Sequence, residues 1–174
     1  MIGPGTLQWQ PGYADLVAAP VASSVAASGP EVLAAPIDPS LADTAEFCEH
    51  YGVLMADSAN CVVIAGRRGG ETSYAACVVL ATTRADVNGV VRRRLDARKA
   101  SFAAMDDAVA LSGMEYGGIT PIGLPASWPV LIDAAVCERD VVVIGSGLRR
   151  SKLAVSAAAL AALAGTEVID GLAR

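Results

Sequence analysis

One histidine and no closely spaced cysteine pair leave little room for the commonest catalytic and metal-binding constellations. A Ser-His-Asp or Cys-His arrangement would depend wholly on His50, at the end of a helix-like stretch where an imidazolium complements the helix dipole. Cys48, Cys61, Cys77 and Cys137 form no CxxC motif, so neither a zinc site nor a disulfide framework is expected. They read as reduced, mostly buried, small apolar residues. Asp106-Asp107 at a helix start is explained by the dipole rather than by a metal. No GxxxxGK[ST] phosphate loop occurs.

Long apolar runs are missing as well. None approaches the roughly 20 residues that span a bilayer, and no basic start leads into an apolar run as in a secretory signal. A soluble, cytoplasmic protein with no cofactor and no membrane contact is the expectation. Excess positive charge is absent too: the net charge is −5, which argues against gripping nucleic acid over a wide surface but leaves contact with a nucleic-acid end open. Aromatics make up only 5%, so a core for these 174 residues must use small and β-branched side chains. With 53% hydrophobic residues the chain can bury one sizeable core.

The ordered signals begin late. Residues 1–40 carry six of the nine prolines and read as an arm, with one alanine-rich stretch, Asp15 to Ser28, as a helix; a domain is expected over 41–174. Asp38-Pro39 looks like an N-cap with proline at the first helical position, opening a helix that stops at Gly52. Residues 61–66 read as a buried strand, RRGGE as a hairpin turn, and SYAACVVLATT as the returning strand. Asp86 to Lys99 has the pattern of a short helix, weakened by Gly89; Arg92, Arg93, Arg94 and Arg98 read as a solvated face, with contact to nucleic-acid phosphates as the alternative. AMDDAVALSG is a second helix, ended by Gly113. Strands follow at 129–133, 141–145 and 152–155; Ser156 caps a last helix and TEVID closes the sheet.

The segment GGITPIG, residues 117–123, carries no charge. Its glycines permit positive φ and close approach to the main chain, and Pro121 fixes one φ, so the loop offers peptide N–H groups rather than side chains. A plain connection is the alternative. Gly145, Ser146 and Gly147, with Arg149 and Arg150 nearby, form a candidate anion-binding nest. Trp128 beside Pro129 reads as core, with base stacking as the alternative.

From Ala42 to Ala173 these features together resemble the YbaK/EbsC family, free-standing relatives of the editing domain of bacterial prolyl-tRNA synthetase. The resemblance rests on Tyr51-Gly52, the strand from Asn60, Ser112-Gly113, the loop Gly117 to Gly123, Ile132-Asp133, and Gly145 to Arg149. It implies an α+β fold, a mixed sheet curled into a partial barrel with surrounding helices. It also implies hydrolysis of the ester of a mischarged aminoacyl-tRNA, with the tRNA 3′ end as partner and an aminoacyl-tRNA synthetase as a further one. On that pattern Asn60, Gly117 and Asp133 are the catalytic candidates. Gly118, Ile119, Thr120, Pro121, Ile122, Gly123, Gly145, Ser146, Gly147 and Arg149 are the substrate-binding ones.

One departure bears on activity. The family's functional lysine falls, counting from Gly52, on Asn60, which offers an amide and no charge. Lys99, Arg149 or Lys152 would have to supply a cation from elsewhere. Asp133 has two readings, a contact to the substrate amine or water and a cap on turn N–H groups. Two functions stay open: a deacylase for a small amino acid such as alanine, serine or cysteine, and a binding module that has lost turnover.

Overall fold

The computed structural model describes residues 4–11, 14–28 and 30–174. The expected arm lies partly outside these. Its described part begins with residues 4–11, where Gln10 bridges Ala34, and continues in a 3-10 turn, Ala14–Leu16, and helix α1, Ala19–Ser28, rather than one helix from Asp15. Strand β1, Val32–Pro36, was not anticipated. It pairs antiparallel with a strand near the other end of the chain, Val32 opposite Val155. Together with the fully buried Val21 of α1, it packs this segment into the core.

Asp38 caps as expected, its carboxylate accepting from the Ser40 N–H at 2.8 Å, but it starts only a 3-10 turn, Pro39–Leu41. The chain then breaks, and α2, Thr44–Tyr51, begins afresh after Asp43 and ends at Gly52 in the left-handed region. Next comes the hairpin β2, Ala59–Arg68, and β3, Glu71–Leu80. Its central residues Gly69 and Gly70 have φ of 60° and 86°, the two positive values that a type I′ turn requires and that match the twist of paired strands.

Residues 86–99 differ from the expected helix. Val87–Val91 is a π-helical turn, followed by one α-turn, α3, Arg92–Arg94. The carboxylate of Asp86 folds over the turn to accept from the Gly89 and Val90 N–H groups. A Cβ on Gly89 would lie 2.2 Å from that carboxylate, so glycine is what lets the cap close. An edge strand, β4, Lys99–Phe102, then pairs with β2. Helix α4, Met105–Ser112, follows, then β5, Val130–Asp133, and α5, Ala134–Cys137. The chain closes with β6, Val141–Gly145, β7, Ser151–Ser156, α6, Ala157–Ala161, and β8, Thr166–Ile169.

The fold is α+β with mixed pairing. Five strands form one sheet in the order β4-β2-β3-β5-β8, antiparallel through β3 and parallel from β3 to β8. The other three form an antiparallel sheet, β1-β7-β6. The two meet where Ser58 bridges Val143 in parallel, so the curl arises at a seam between sheets and does not close into a barrel. Valine, isoleucine and leucine from both sheets fill the largest core cluster, with α1, α5 and α6 packed on it. Ala59 and Val63 of β2 and Ile144 of β6 belong to that cluster beside the seam.

Candidate functional site at the seam of two sheets

A cavity of about 290 Å³ opens at this seam. Ser58 and the first five residues of β2, Ala59 to Val63, line it, β6 supplies Val143 to Gly145, and Ala42, Asp43 and Thr44 enter from the start of α2. The loop after α4 adds Tyr116, Gly117 and Ile119, and Lys152 enters from β7. Asn60 is therefore at the site. Its Oδ1 accepts from the Thr44 hydroxyl at 2.7 Å, which leaves the amide NH₂ without a partner among the described residues.

The loop 117–123 is divided between two tasks. Gly117 has φ +82°, a conformation that favours glycine, and the Arg149 guanidinium would be 2.3 Å from a Cβ there and would have to move. Among the described residues neither the Gly117 nor the Ile119 N–H finds a hydrogen-bond partner, the state expected of donors left for a ligand. Gly118 is wedged: its N–H donates to the Glu115 carbonyl at 2.9 Å, and its carbonyl accepts from the Gly147 N–H at 2.7 Å. Thr120 and Ile122 are fully buried, and Pro121 and Gly123 turn away from the cavity. The Pro20 carbonyl of α1 would lie 2.5 Å from a Cβ on Gly123. This half of the loop holds α1 rather than a ligand.

The other expected contacts separate in the same way. Gly145 lines the cavity. Ser146 is fully buried; its hydroxyl lies 2.8 Å from that of Ser151 and accepts from the Leu148 N–H at 3.2 Å. The Ala18 side chain would be 2.4 Å from a Cβ on Gly147. The glycine-serine-glycine turn is thus closed by its own hydrogen bonds and by α1, which leaves no open anion nest. Arg149 is half-exposed beside the cavity, with Asp43 at 3.3 Å and the Pro39 carbonyl at 3.3 Å.

Asp133 does not belong to the cavity. It is 6% exposed, and its oxygens accept from the Ala135 N–H at 3.0 Å and the Ala173 N–H at 2.8 Å. It caps α5 and anchors the end of the chain, so of its two sequence readings the capping one describes it. His50 sits on the exposed end of α2 against Tyr51. The cysteines are poor nucleophiles: burial pushes the Cys61 thiol up and that of Cys77 up to about 12, so both are protonated at neutral pH.

Lys152 is the residue whose place the sequence left undefined. It is 8% exposed, its Nζ donates to the Ala42 carbonyl at 2.9 Å, and it lies 4.9 Å from the centre of the Phe47 ring. No carboxylate is within ion-pair distance of it among the described residues. Burial lowers its pKa to about 8; Cys48 and Asp43 act the other way and Arg149 adds to the fall. An ammonium buried without an ion pair is unfavourable for folding, and such groups concentrate at sites where charge is used. The signal in the sequence was only a lysine, one of two in the chain, opening an apolar strand.

No cluster of His, Cys, Asp or Glu among the described residues is arranged to hold a metal ion. No described helix is long and apolar enough to cross a membrane.

Fold and cavity together define a class, an α+β domain with a concave site where two sheets meet, lined by a glycine loop, by polar side chains such as Thr44 and Asn60, and by the buried Lys152. A family model described as an aminoacyl-tRNA editing domain matches residues 38–163, and the chain belongs to that family. None of the curated proteins matches it in sequence. Among solved structures, a candidate trans-editing enzyme for prolyl tRNA synthetase is similar over 87% of this chain and 93% of its own, at TM-score 0.74 and 20% identity. A scaffold from an epitope-grafting design covers 88% and 95% at TM-score 0.75 and 21% identity. The hypothetical protein APE2540 covers 80% and 86% at TM-score 0.67 and 21% identity. At such identities the likeness shows the fold, which is the one the loop resemblance implied.

Proposed function

We propose that the chain is a trans-acting aminoacyl-tRNA deacylase that hydrolyses the ester of a tRNA mischarged with a small amino acid. The observation that carries this reading is the cavity beside Asn60, where the unpartnered Gly117 and Ile119 N–H groups and the buried Lys152 share one wall system. Its volume, about 290 Å³, is at the lower end of the roughly 300–1,000 Å³ usual for small-molecule sites and suits a small acyl group on a ribose.

In this mechanism water, oriented by a hydroxyl of the terminal ribose, adds to the ester carbonyl carbon. The oxyanion that forms is stabilised by the loop N–H groups and the Lys152 ammonium, preorganised donors in a site with little water. The bond from the carbonyl carbon to the ribose oxygen then breaks, the ribose oxygen takes up the proton, and the free amino acid departs. Asn60 contributes its NH₂, held toward the cavity because Thr44 occupies the amide oxygen. No step needs a histidine or a nucleophilic thiol.

A second reading, an aminoacyl-tRNA-binding module without turnover, is favoured by Asn60 standing where the family resemblance places a lysine. Amino acid release from a panel of mischarged tRNAs separates the two, beginning with tRNA for proline because of the synthetase named for the similar structure. The deacylase reading expects release above the uncatalysed rate with at least one member and its loss in Gly117→Val. Tight binding with no release from any member supports the module instead.

A further inference from the structure

We propose that the concave surface built by Arg67, Arg92, Arg98 and Lys99 is a docking groove for the phosphodiester backbone of RNA, placing an acceptor end so that its terminus reaches the seam cavity. That the RNA is a tRNA rests on the reading above. The groove encloses about 540 Å³, and Asn88 and Ser101 add polar groups to its lining.

Chain folding brings Arg67 of β2 to the short segment that carries Arg92, Arg98 and Lys99. The β2–β4 register sets Arg67 opposite Lys99, and the Arg98 N–H donates to the Arg67 carbonyl at 2.9 Å. The Arg92 side chain is tethered to the Asn88 carbonyl at 2.8 Å. The arginine-rich segment is thereby split: Arg94 turns away to pair with Glu167, while Arg92, Arg98 and the adjoining Lys99 gather with Arg67 of β2.

Position, rather than pairing, distinguishes these cations. Arg68, Arg94, Arg149 and Arg174 each have a carboxylate partner. The four groove cations have none among the described residues, and neither do Arg84, Arg93, Arg139, Arg150 and Lys152; what sets the four apart is that they line one concavity on a chain with 18 acidic residues against 13 basic ones. Glu71 bounds the groove only at its hairpin end, beside Arg67 and Arg98. Concentrated, unpaired positive charge on a net-acidic protein suits a polyanion that must approach in one orientation.

The groove and the cavity share no lining residue, but both are built on β2 and β4. Side chains alternate along a strand, so Cys61, Val63 and Arg67 share one face of β2; the first two line the cavity and the third the groove. Val63 and Arg67 are four residues apart, about 13 Å. β4 spans the same interval from Lys99 to Phe102, whose ring is 64% exposed at the cavity wall, with Tyr116 57% exposed beside it. These rings offer faces on which a terminal base stacks while phosphates lie in the groove.

The test uses an unacylated tRNA transcript and the full chain, with binding followed by fluorescence anisotropy between about 50 and about 200 mM salt. The paired variants Arg67→Gln/Lys99→Gln and Arg92→Gln/Arg98→Gln are compared with wild type and with Arg84→Gln/Arg93→Gln, which leaves the groove intact. Each groove pair is expected to weaken binding at least about tenfold and to lower the slope of log affinity on log salt by about 1.5 to 2, with unchanged melting temperature. The control pair should leave both as in wild type. Failure of wild type to bind, or equal losses in groove and control variants, would overturn the proposal. Groove-dependent binding without ester hydrolysis would leave the groove standing and remove the deacylase reading instead.

Discussion

Two charged side chains of this protein are buried almost equally, Asp133 at 6% and Lys152 at 8% exposure, and they have opposite surroundings. Asp133 has both oxygens filled by backbone N–H groups that nothing else would satisfy, so its charge serves a helix start and a chain end. Lys152 has three donors, of which one reaches a carbonyl and another side rests against an aromatic ring. The rest of its field is open to the cavity. Burial alone therefore does not single out a charge as a candidate for function; incomplete satisfaction beside a cavity does.

The largest effect expected is at the loop that faces Lys152. Gly117→Val places a β-branched residue at φ +82° and drives its Cβ into the Arg149 guanidinium. Deacylation should fall at least about 100-fold, in line with loss of oxyanion donors. Melting, measured alongside, should drop only by the few degrees expected of a local backbone strain.

Lys152→Met and Asp133→Ala sharpen the comparison because their effects should fall on different measurements. Lys152→Met is expected to slow deacylation about 10- to 150-fold, the range for loss of a hydrogen bond to a charged group, while stability is unchanged or raised. Asp133→Ala should leave the rate constant of the folded protein intact and reduce unfolding free energy by about 2 kcal/mol, since two N–H groups lose their acceptor. Rate assays and denaturant unfolding on the same samples check both. A stability loss from Lys152→Met with no change in rate would reverse the assignment.

The pH dependence has opposite signs for rate and stability. If the ammonium is the working form, the rate falls as pH rises through about 8, the lowered value of Lys152. The unfolded chain, with an ordinary lysine value of 10.5, binds more protons than the folded one between those limits. Stability from this residue thus rises with pH from about 8 toward 10.5, and Lys152→Met should abolish that rise.

The smallest effect expected is at Asn60. Asn60→Lys in the wild-type background adds a second ammonium to a cavity that already has one, and the rate should change by less than about threefold, as repulsion offsets the new donor. In the Lys152→Met background the same substitution should restore a large part of the lost rate. A failure to rescue would mean that the cation must come from β7.

How much of this was legible depended on whether the cause was local. Gly69-Gly70, Ser156, Gly113 and Asp38 act on their own neighbours, so hairpin and caps could be read directly. β1 and β4 could not: one ends in Pro36, the other is four residues of KASF at a sheet edge, and pairing partners define both. The glycine loop pointed to two residues that line the cavity, Gly117 and Ile119, but the close contact of Gly123 with Pro20, which divides the loop, belongs to tertiary packing. Asp133 before Ala134 read equally as cap and as catalyst, and only Ala173, 40 residues on, decides it. Lys152 was visible merely as a lysine; the β1-β7-β6 register carries it to the seam.

The central claim is that the seam cavity uses Lys152 as its cation to cleave an aminoacyl ester. It is tested most directly by amino acid release from mischarged tRNA near pH 7 with wild type and Lys152→Met side by side. The account predicts release well above the uncatalysed rate for wild type and a loss of about 10- to 150-fold in the variant at equal stability. Equal release by the two proteins, or none by wild type from any mischarged tRNA, would contradict it.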